Sequence, residues 1–258
     1  PSSSAPLRAV DTELTTVSFT PRLRLDSTIG GTRWQSTGGF DYYRAHYNSD
    51  RPQFLGAAPI HRFELTQSTM AGYWQQTVTV LQNTDVSAGA RVQKTTIQAA
   101  DTFDPNAPGA NPLVCFPPPG GGCFGDQAGT PLDKSEFNRA FHLGAEHRFN
   151  QQFAVFGRVA QSFRVPNVDE RVGMVTSENG VPTTFDLRTQ KSRDVETGVR
   201  LHFAALDIQS SIYDMRLKDE IHFRFGPNFE AHTINLDPTR RYGSETMVSS
   251  RLNVDVRF

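Results

Sequence analysis

Hydrophobic and polar residues alternate with a period of two along most of the chain, and helical spacing hardly appears. This pattern is typical of β-strands whose two faces meet different surroundings. One predicted hairpin occupies residues 70–93 and turns at 82–84. Its apolar face carries Met70, Trp74, Val78, Val80, Val86, Ala88, Ala90 and Val92, and its other face carries Tyr73, Gln75, Thr77, Thr79, Ser87, Arg91 and Gln93.

Two further hairpins with the same plan are predicted at residues 137–164 and 195–212. Less regular strands are expected at 13–25, 34–47 and 242–252, which brings the expected total to about nine. Asp41 interrupts the alternation in the strand at 34–47, and Arg139 interrupts an apolar face. The register of the first 60 residues is therefore the least certain part of this prediction.

The predicted connections fall into two classes, which alternate along the chain. Turns of a few residues alternate with long links at about 48–60, 100–136, 165–190 and 224–240. Because antiparallel strands reverse direction, all short turns lie at one end of the sheet and all long links at the other. This asymmetry is typical of transmembrane β-barrels, in which the sheet closes because lipid cannot satisfy a strand edge. We predict an all-β fold, an antiparallel transmembrane β-barrel.

Composition agrees with this prediction and excludes other classes. The mean hydropathy of −0.46, with no apolar run of about 18 residues, excludes a transmembrane helix. Lys and Arg number 26 and Asp and Glu 27, so we expect no nucleic-acid partner. No nucleophile, triad, phosphate loop or paired histidine spacing is present, so we expect no enzymatic activity, no cofactor and no metal site.

Charged residues within the hairpins test the assignment of faces. A cation on the lipid face near the bilayer midplane costs roughly 2–4 kcal/mol. We therefore expect the charges of these strands to lie on the interior face. The residues concerned are Arg91, Glu146, Arg148, Arg158 and Arg200.

Cys115 and Cys123 are the only cysteines, and they lie in a loop rich in proline and glycine. An even pair in one loop predicts a disulfide and an oxidising compartment. Closing so short a loop contributes about 2–3 kcal/mol in the chain-entropy model. Zinc binding is the weaker alternative, because two thiols without a nearby histidine supply only half of a site.

Four segments, in order along residues 161–245, resemble TonB-dependent outer-membrane receptors. Residues 161–170 are similar to the FRAP-N-x-x-E box of that family, which opens an extracellular loop. The matching residues are Phe163, Arg164, Pro166, Asn167 and Glu170. Two roles are open for the polar residues of this stretch, contact with a ligand and hydrogen bonding that joins the strand end to its loop, and we favour the second. The residues concerned are Arg164, Asn167, Asp169, Glu170 and Arg171.

The remaining three segments resemble the strands that follow the box in that family. Residues 189–200 keep the spacing of Glu196 and Gly198, and residues 212–221 resemble the next strand. Residues 235–245 are similar to the strand after it. The matching positions there are Asn235, Gly243 and Glu245. The part of the chain before residue 161 matches only in hairpin pattern and loop asymmetry.

The resemblance implies a barrel of about 22 strands, filled by an N-terminal plug domain. Residues 1–258 then form an incomplete barrel of about nine to ten strands, without the plug. The expected location is the outer membrane of a Gram-negative bacterium, surrounded by lipid. A turn at 253–255 favours a fragment, while alternation at Leu252, Val254, Val256 and Phe258 resembles a C-terminal assembly signal.

The implied function is import of a scarce ligand with energy from the TonB protein, acting through the plug. Haem-importing members of the family place a histidine after the box, and residues 164–190 contain none. We therefore expect a small chelate, such as a ferric siderophore. The alternatives are a passive porin-like or structural barrel, which an upstream plug would exclude, and a soluble β-rich interaction domain.

Overall fold

The computed structural model describes residues 9–116, 123–172, 185–225 and 231–250, and in them the chain is almost entirely β. The strands are β1 (Asp11–Phe19), β2 (Arg22–Ile29), β3 (Thr32–Pro52), β4 (Pro59–Leu81), β5 (Thr84–Phe103), β6 (Val114–Cys115), β7 (Cys123–Phe124), β8 (Leu132–Arg148), β9 (Phe153–Arg164), β10 (Gln190–His202), β11 (Leu206–Lys218), β12 (Ile221–Phe225), β13 (Ala231–Asn235) and β14 (Thr239–Ser250). A short 3-10 turn spans Asp169–Arg171. No helix within these residues is long and apolar enough to cross a membrane.

Ten of the strands form one antiparallel sheet in the order β1, β3, β4, β5, β8, β9, β10, β11, β14, with β2 also paired to β3. β1 and β2 lie end to end along β3 in one register, since Phe19 pairs with Tyr42 and Arg22 with Gly39. Pro21 lies between them and has no N–H to donate to the ladder. Its carbonyl still accepts the Phe40 N–H at 3.2 Å. The predicted all-β antiparallel fold, with nine strand positions, is confirmed.

Most strands of the main sheet are longer than the alternation predicted, and the first two long links are correspondingly shorter. β3, β4 and β5 have 21, 23 and 20 residues, whereas a tilted strand needs only about ten to cross an apolar band of about 25 Å. The link predicted at 48–60 reduces to residues 53–58, because β3 continues to Pro52. The link predicted at 100–136 contains the small hairpin β6–β7, and the link predicted at 224–240 begins within the small hairpin β12–β13, whose first strand starts at Ile221.

The pairing register assigns every strand residue to one of two faces, because residues that pair across neighbouring strands project to the same side. The face that we call apolar carries Trp34, Phe40, Met70, Trp74, Val78, Val86, Val92, Phe141, Leu143, Val159, Val195, Ile212 and Val248. The face that we call polar carries Asp41, Tyr73, Asp85, Arg91, Glu146, Arg148, Arg158, Asp194, Glu196 and Arg200. The hairpin charges singled out from the sequence share the polar face, and the placement of that face inside a barrel stays a prediction.

The register of β3 does not slip at Asp41. Its pairing with β4 runs without a break from Trp34 to Arg51, and the shift occurs only between Arg51 and Pro52. Asp41 lies on the polar face, where Arg91 Nη1 donates to its Oδ2 at 2.5 Å. Arg139, in contrast, does lie on the apolar face, opposite Val92.

The buried core lies at the long-loop end of the polar face. Tyr47, Phe63, Leu65 and Ile97 from the sheet pack with Phe185 from the loop that joins β9 to β10. Phe63, Leu65 and Phe185 are each 0% exposed. Burying one such side chain stabilises by about 1.5–3 kcal/mol. The core therefore forms between the sheet and a loop folded back over it. The expectations for residues 252–258 fall outside the described residues.

Candidate functional site

The polar face carries a network of ion pairs near the short turns. Arg148 Nη1 lies 2.7 Å from Asp85 Oδ2 and 3.2 Å from Glu146 Oε1. Glu146 also pairs with Arg200, whose guanidinium lies 4.6 Å from the centre of the Phe156 ring. These groups are partly exposed, so each pair contributes little by itself. Together they connect β5, β8 and β10 across the polar face.

Further from the short turns, the polar face lines an open cleft of about 550 Å³. Its lining includes Asp41, Tyr73, Arg91, His142 and Arg158. Arg158 Nη2 lies 3.2 Å from carboxylates of both Asp194 and Glu196. Glu196, predicted from the family motif, is therefore part of this charged surface. The cations and carboxylates of the cleft pair with one another, and such a surface suits contact with water or with a polar protein surface.

The FRAP-N-x-x-E segment folds on itself directly after β9. Arg164 pairs with Glu170, and Pro166 is fully buried. The Glu170 N–H donates to Asn167 Oδ1 at 2.8 Å, and the Asn167 N–H donates to Glu170 Oε2 at 3.0 Å. This reciprocal arrangement is that of a helix capping box, here at a single 3-10 turn. Phe163, one residue before Arg164, lies on the apolar face.

The loop that follows is fastened to the polar face. The Tyr47 hydroxyl donates to Asp169 Oδ1 at 3.3 Å. Arg171 is 4% exposed, and its Nη1 donates to the carbonyls of Phe185 and Leu187 at 2.9 and 3.1 Å. Burial lowers the pKa of the Arg171 guanidinium, and three nearby carboxylates oppose that shift. Arg171 thus joins the outgoing and returning parts of the loop.

Two contacts attach the returning part of the loop to β8. Thr189 donates to Glu136, and Lys134 Nζ lies 2.6 Å from Asp186 Oδ1. The described parts of the β9–β10 loop, residues 165–172 and 185–189, therefore lie over the loop ends of β3, β4, β5 and β8 on the polar face. In this position they cover part of that face.

Gly198 and Gly243 lie beneath aromatic rings on the polar face. A Cβ at Gly198 would lie 2.4 Å from the Ser210 carbonyl oxygen and 2.7 Å from Phe156 Cζ. A Cβ at Gly243 would lie 3.0 Å from the Tyr213 hydroxyl. Each ring crosses the neighbouring strand at a position without a side chain. Glu245, two residues after Gly243, is exposed on the same face.

Asn235 connects two loops at the long-loop end of the sheet. Its Nδ2 donates to the carbonyls of Arg188 and Asp219, each at 2.9 Å, and its Oδ1 accepts the Arg188 N–H at 2.8 Å. Asp219 has a φ of 55°, in the left-handed region, where β11 ends. Asn235 belongs to the separate β12–β13 sheet, whereas Glu196, Gly198, Gly243 and Glu245 lie in the main sheet.

Cys115 and Cys123 are joined by a disulfide and pair directly across the β6–β7 hairpin. This hairpin is a separate two-stranded sheet in the loop between β5 and β8. The disulfide therefore closes a loop hairpin and leaves the main sheet without a covalent cross-link among the described residues.

A buried polar pair was not predicted from the sequence. His61 Nδ1 lies 2.9 Å from Asp101 Oδ2, with side-chain exposures of 1% and 0%. The imidazole stacks against Phe63 and Phe103, and the Gly129 N–H donates to Asp101 Oδ2 at 2.8 Å. Nothing in the spacing of these residues connects them, because only the pairing of β4 with β5 brings them together.

The family model described as TonB dependent receptor-like, beta-barrel, matches residues 3–258. The chain therefore belongs to the TonB-dependent receptor family, in its β-barrel part. Members of this family are outer-membrane barrels of Gram-negative bacteria that act as transporters and receptors. A sequence search of curated proteins finds no match.

Several solved structures share the fold at low sequence identity. The ferric-catecholate import receptor Fiu of E. coli K12 has 14% identity and a TM-score of 0.70, over 95% of this chain and 36% of its own. The ferric yersiniabactin uptake receptor FyuA of Yersinia pestis has 16% identity and a TM-score of 0.63, over 95% and 34%. The Serratia marcescens hemophore receptor HasR has 14% identity and a TM-score of 0.68, over 93% of this chain and 40% of its own. The chain thus spans about a third to two fifths of their length.

Proposed function

We propose that this chain forms part of the barrel of an outer-membrane transporter that imports a ferric siderophore or a similar metal chelate. Membership of the TonB-dependent receptor family over residues 3–258 is the observation that carries the proposal. The two faces of the sheet support it. Over roughly the first nine residues from the short turns, one face carries only two charged side chains among the described strands, Arg139 and Asp214, which suits contact with lipid. The other carries paired charges, as an interior surface requires.

The chelate class is supported by the relatives and by the loop composition. Fiu imports ferric catecholates and FyuA takes up ferric yersiniabactin, according to their descriptions, whereas HasR binds a hemophore and heme. Residues 164–190 of this chain contain no histidine, the residue that haem importers of the family place there. A ferric chelate is therefore favoured over haem.

Energy coupling would act through a plug domain supplied by another part of the full-length protein. The cleft beside Arg91 and Arg158 on the polar face offers both signs of charge to such a domain. Contact between TonB and the plug would then drive import. The family-motif residues Arg164, Asn167 and Glu170 would hold the extracellular loop in place rather than bind the chelate, since they bond to one another. Pro166 is fully buried in the same segment, and Phe163 lies on the apolar face.

The test uses the full-length protein in a Gram-negative host that lacks its own ferric-chelate receptors. Cells receive radiolabelled iron as a catecholate, hydroxamate or carboxylate chelate, or as haem. We expect saturable uptake of one of the three chelates and loss of that uptake when the TonB gene is deleted. Uptake that persists without TonB would establish a passive barrel instead. Uptake of haem alone would contradict the chelate assignment.

A further inference from the structure

Three arginines form a row across neighbouring strands on the apolar face. Arg193 of β10 pairs directly with Arg216 of β11, and Arg216 pairs with Arg240 of β14. Side chains that are directly opposite project to the same side, with Cβ atoms about 4.5–5.5 Å apart. All three side chains are exposed. We call these three residues the arginine row.

The row marks the long-loop border of the mainly uncharged part of the apolar face. Between the row and the short turns, the apolar positions of β10, β11 and β14 carry one charged residue, Asp214. Arg193 lies ten residues before Phe203 at the short turn, which corresponds to about 25 Å along the barrel axis for a tilted strand. That distance equals the height of the apolar band. The row is therefore level with lipid head groups on the long-loop side.

The charges of the row are not balanced by the described part of the chain. Asp214 lies beside Arg240, whose Nε is 3.2 Å from both of its oxygens. Arg193 Nε donates to the neutral amide oxygen of Gln161 at 3.3 Å. Arg216 has no hydrogen-bonded carboxylate among the described residues. Three arginines and one aspartate leave two positive charges in excess.

Such an arrangement destabilises a sheet unless an anion joins it. Like charges directly opposite each other on one sheet face repel, and the repulsion is stronger beside hydrocarbon than in water. Two further cations, Lys94 of β5 and Arg139 of β8, lie on the apolar face at a similar distance from the short turns. They are diagonal neighbours across the β5–β8 pair. The border of the apolar face is therefore cationic over several strands.

We propose that the arginine row binds the phosphate groups of a lipid A-type glycolipid in the leaflet on the long-loop side. Planar guanidinium groups match phosphate oxygens in pairs and hold the charge at every working pH. Acyl chains of the same lipid would lie along Val195, Ile212 and Tyr242, which are exposed next to the row toward the short turns. The inference rests on the proposed membrane location, not on the transported ligand.

Binding is measured on the full-length protein in a neutral detergent, by native mass spectrometry with added lipid A. The matched probes are lipid A stripped of its phosphates, and inorganic phosphate as a competitor. We expect the wild type to bind lipid A at least about tenfold more tightly than the dephosphorylated form, the equivalent of one lost charge-assisted contact. Inorganic phosphate should compete weakly, because it lacks the acyl chains.

The main test is a double variant that combines Arg193→Gln and Arg216→Gln. A single variant, Arg216→Gln, removes only one of the two charges. Both should weaken lipid A binding, the double variant by at least about tenfold. Arg216→Lys keeps the charge and should retain most of the binding. Arg188→Gln is the control, since it removes one exposed arginine, paired with Asp219, away from the row.

Thermal unfolding separates lost binding from lost folding. Without lipid, the double variant should unfold at the wild-type temperature or above it, because a repulsion is removed. With lipid A, only the wild type should gain stability. Equal binding of lipid A and its dephosphorylated form, or undiminished binding by the double variant, would overturn the proposal. So would strong competition by inorganic phosphate, which indicates a free-anion site. Chelate uptake and lipid A binding are scored separately, so each can fail alone.

Discussion

At some positions of the sheet, the close approach of neighbouring atoms leaves room only for glycine. At Gly198 the adjacent strand and the Phe156 ring leave no room for a Cβ, whereas a Cβ at Gly72 would meet nothing within 4 Å. Both glycines lie within strands of the same sheet. Comparing alanine substitutions at the two glycines therefore separates the effect of a steric clash on stability from the general effect of replacing a glycine in a strand.

We predict that Gly198→Ala destabilises the full-length protein by about 1–3 kcal/mol, because the methyl group forces the Ser210 backbone and Phe156 to move. Gly72→Ala should leave stability unchanged or slightly raised. The measurement is the thermal unfolding temperature in detergent, read by heat-modifiable gel mobility. Equal effects of the two substitutions would show that the space beside Gly198 does not matter.

Glu170 holds the loop segment together at the residue scale. Its carboxylate accepts the Asn167 N–H and pairs with Arg164. We predict that Glu170→Ala costs about 1–2 kcal/mol of local stability, similar to the loss of a helix cap. Amide hydrogen exchange should become faster at 167–171. Glu64→Ala at the exposed loop end of β4 is the control. Unchanged exchange at Asn167 would contradict this role.

At the scale of elements, the β9–β10 loop behaves as part of the core. Phe185 is fully buried and meets Phe63 edge to face, with ring centres 6.0 Å apart. Arg171 and Asp169 add hydrogen bonds to the returning loop and to Tyr47. The described parts of this loop, residues 165–172 and 185–189, therefore cover the polar face. Its docking depends mainly on the buried ring.

Phe185→Ala should release this loop at a cost of about 3–5 kcal/mol to its docking, the usual loss for a buried phenylalanine. Limited proteolysis of the full-length protein should then cut within 165–189, while the strands resist. Phe54→Ala is the control, because Phe54 is 58% exposed in the β3–β4 loop. Identical cleavage of wild type and Phe185→Ala would mean that the loop is held by other contacts.

For the whole molecule, the sheet formed by the described residues has two open edges, β14 on one side and β1 with β2 on the other. Unpaired backbone groups at an edge cost several kcal/mol each in lipid, because hydrocarbon offers no hydrogen bonds. Other strands of the full-length barrel would satisfy these edges. The energetics of this chain therefore depend on strands outside it.

We predict that residues 1–258 expressed alone do not refold stably in detergent. The measurement is gel mobility with and without heating, beside the full-length protein. Only the full-length protein should show a compact form that heating converts to a slower one. A compact, heat-modifiable species from the isolated segment would show that its edges are tolerated or paired between copies.

The alternation of residues was sufficient to predict the strands, their faces and the ends at which turns and loops lie. Period two is a local property, so positions such as Trp74 and Arg91 could be assigned to a face without knowing their neighbours. The family motif identified the segment 163–170 in the same local way. The loop-side ends of β4 and β5 were missed although buried and exposed residues still alternate there, because the buried residues now lie on the polar face instead of the apolar one.

Contacts between distant residues required the tertiary structure. Tyr47 meets Asp169 across 122 positions, His61 meets Asp101 through the β4–β5 register, and the arginine row spans three strands. A one-residue change of register would separate each of these sets, and loops carry no period from which to infer where they fold. The sequence by itself therefore determined the strands and the character of each face. Register and loop packing, which depend on many distant contacts at once, decided which side chains meet.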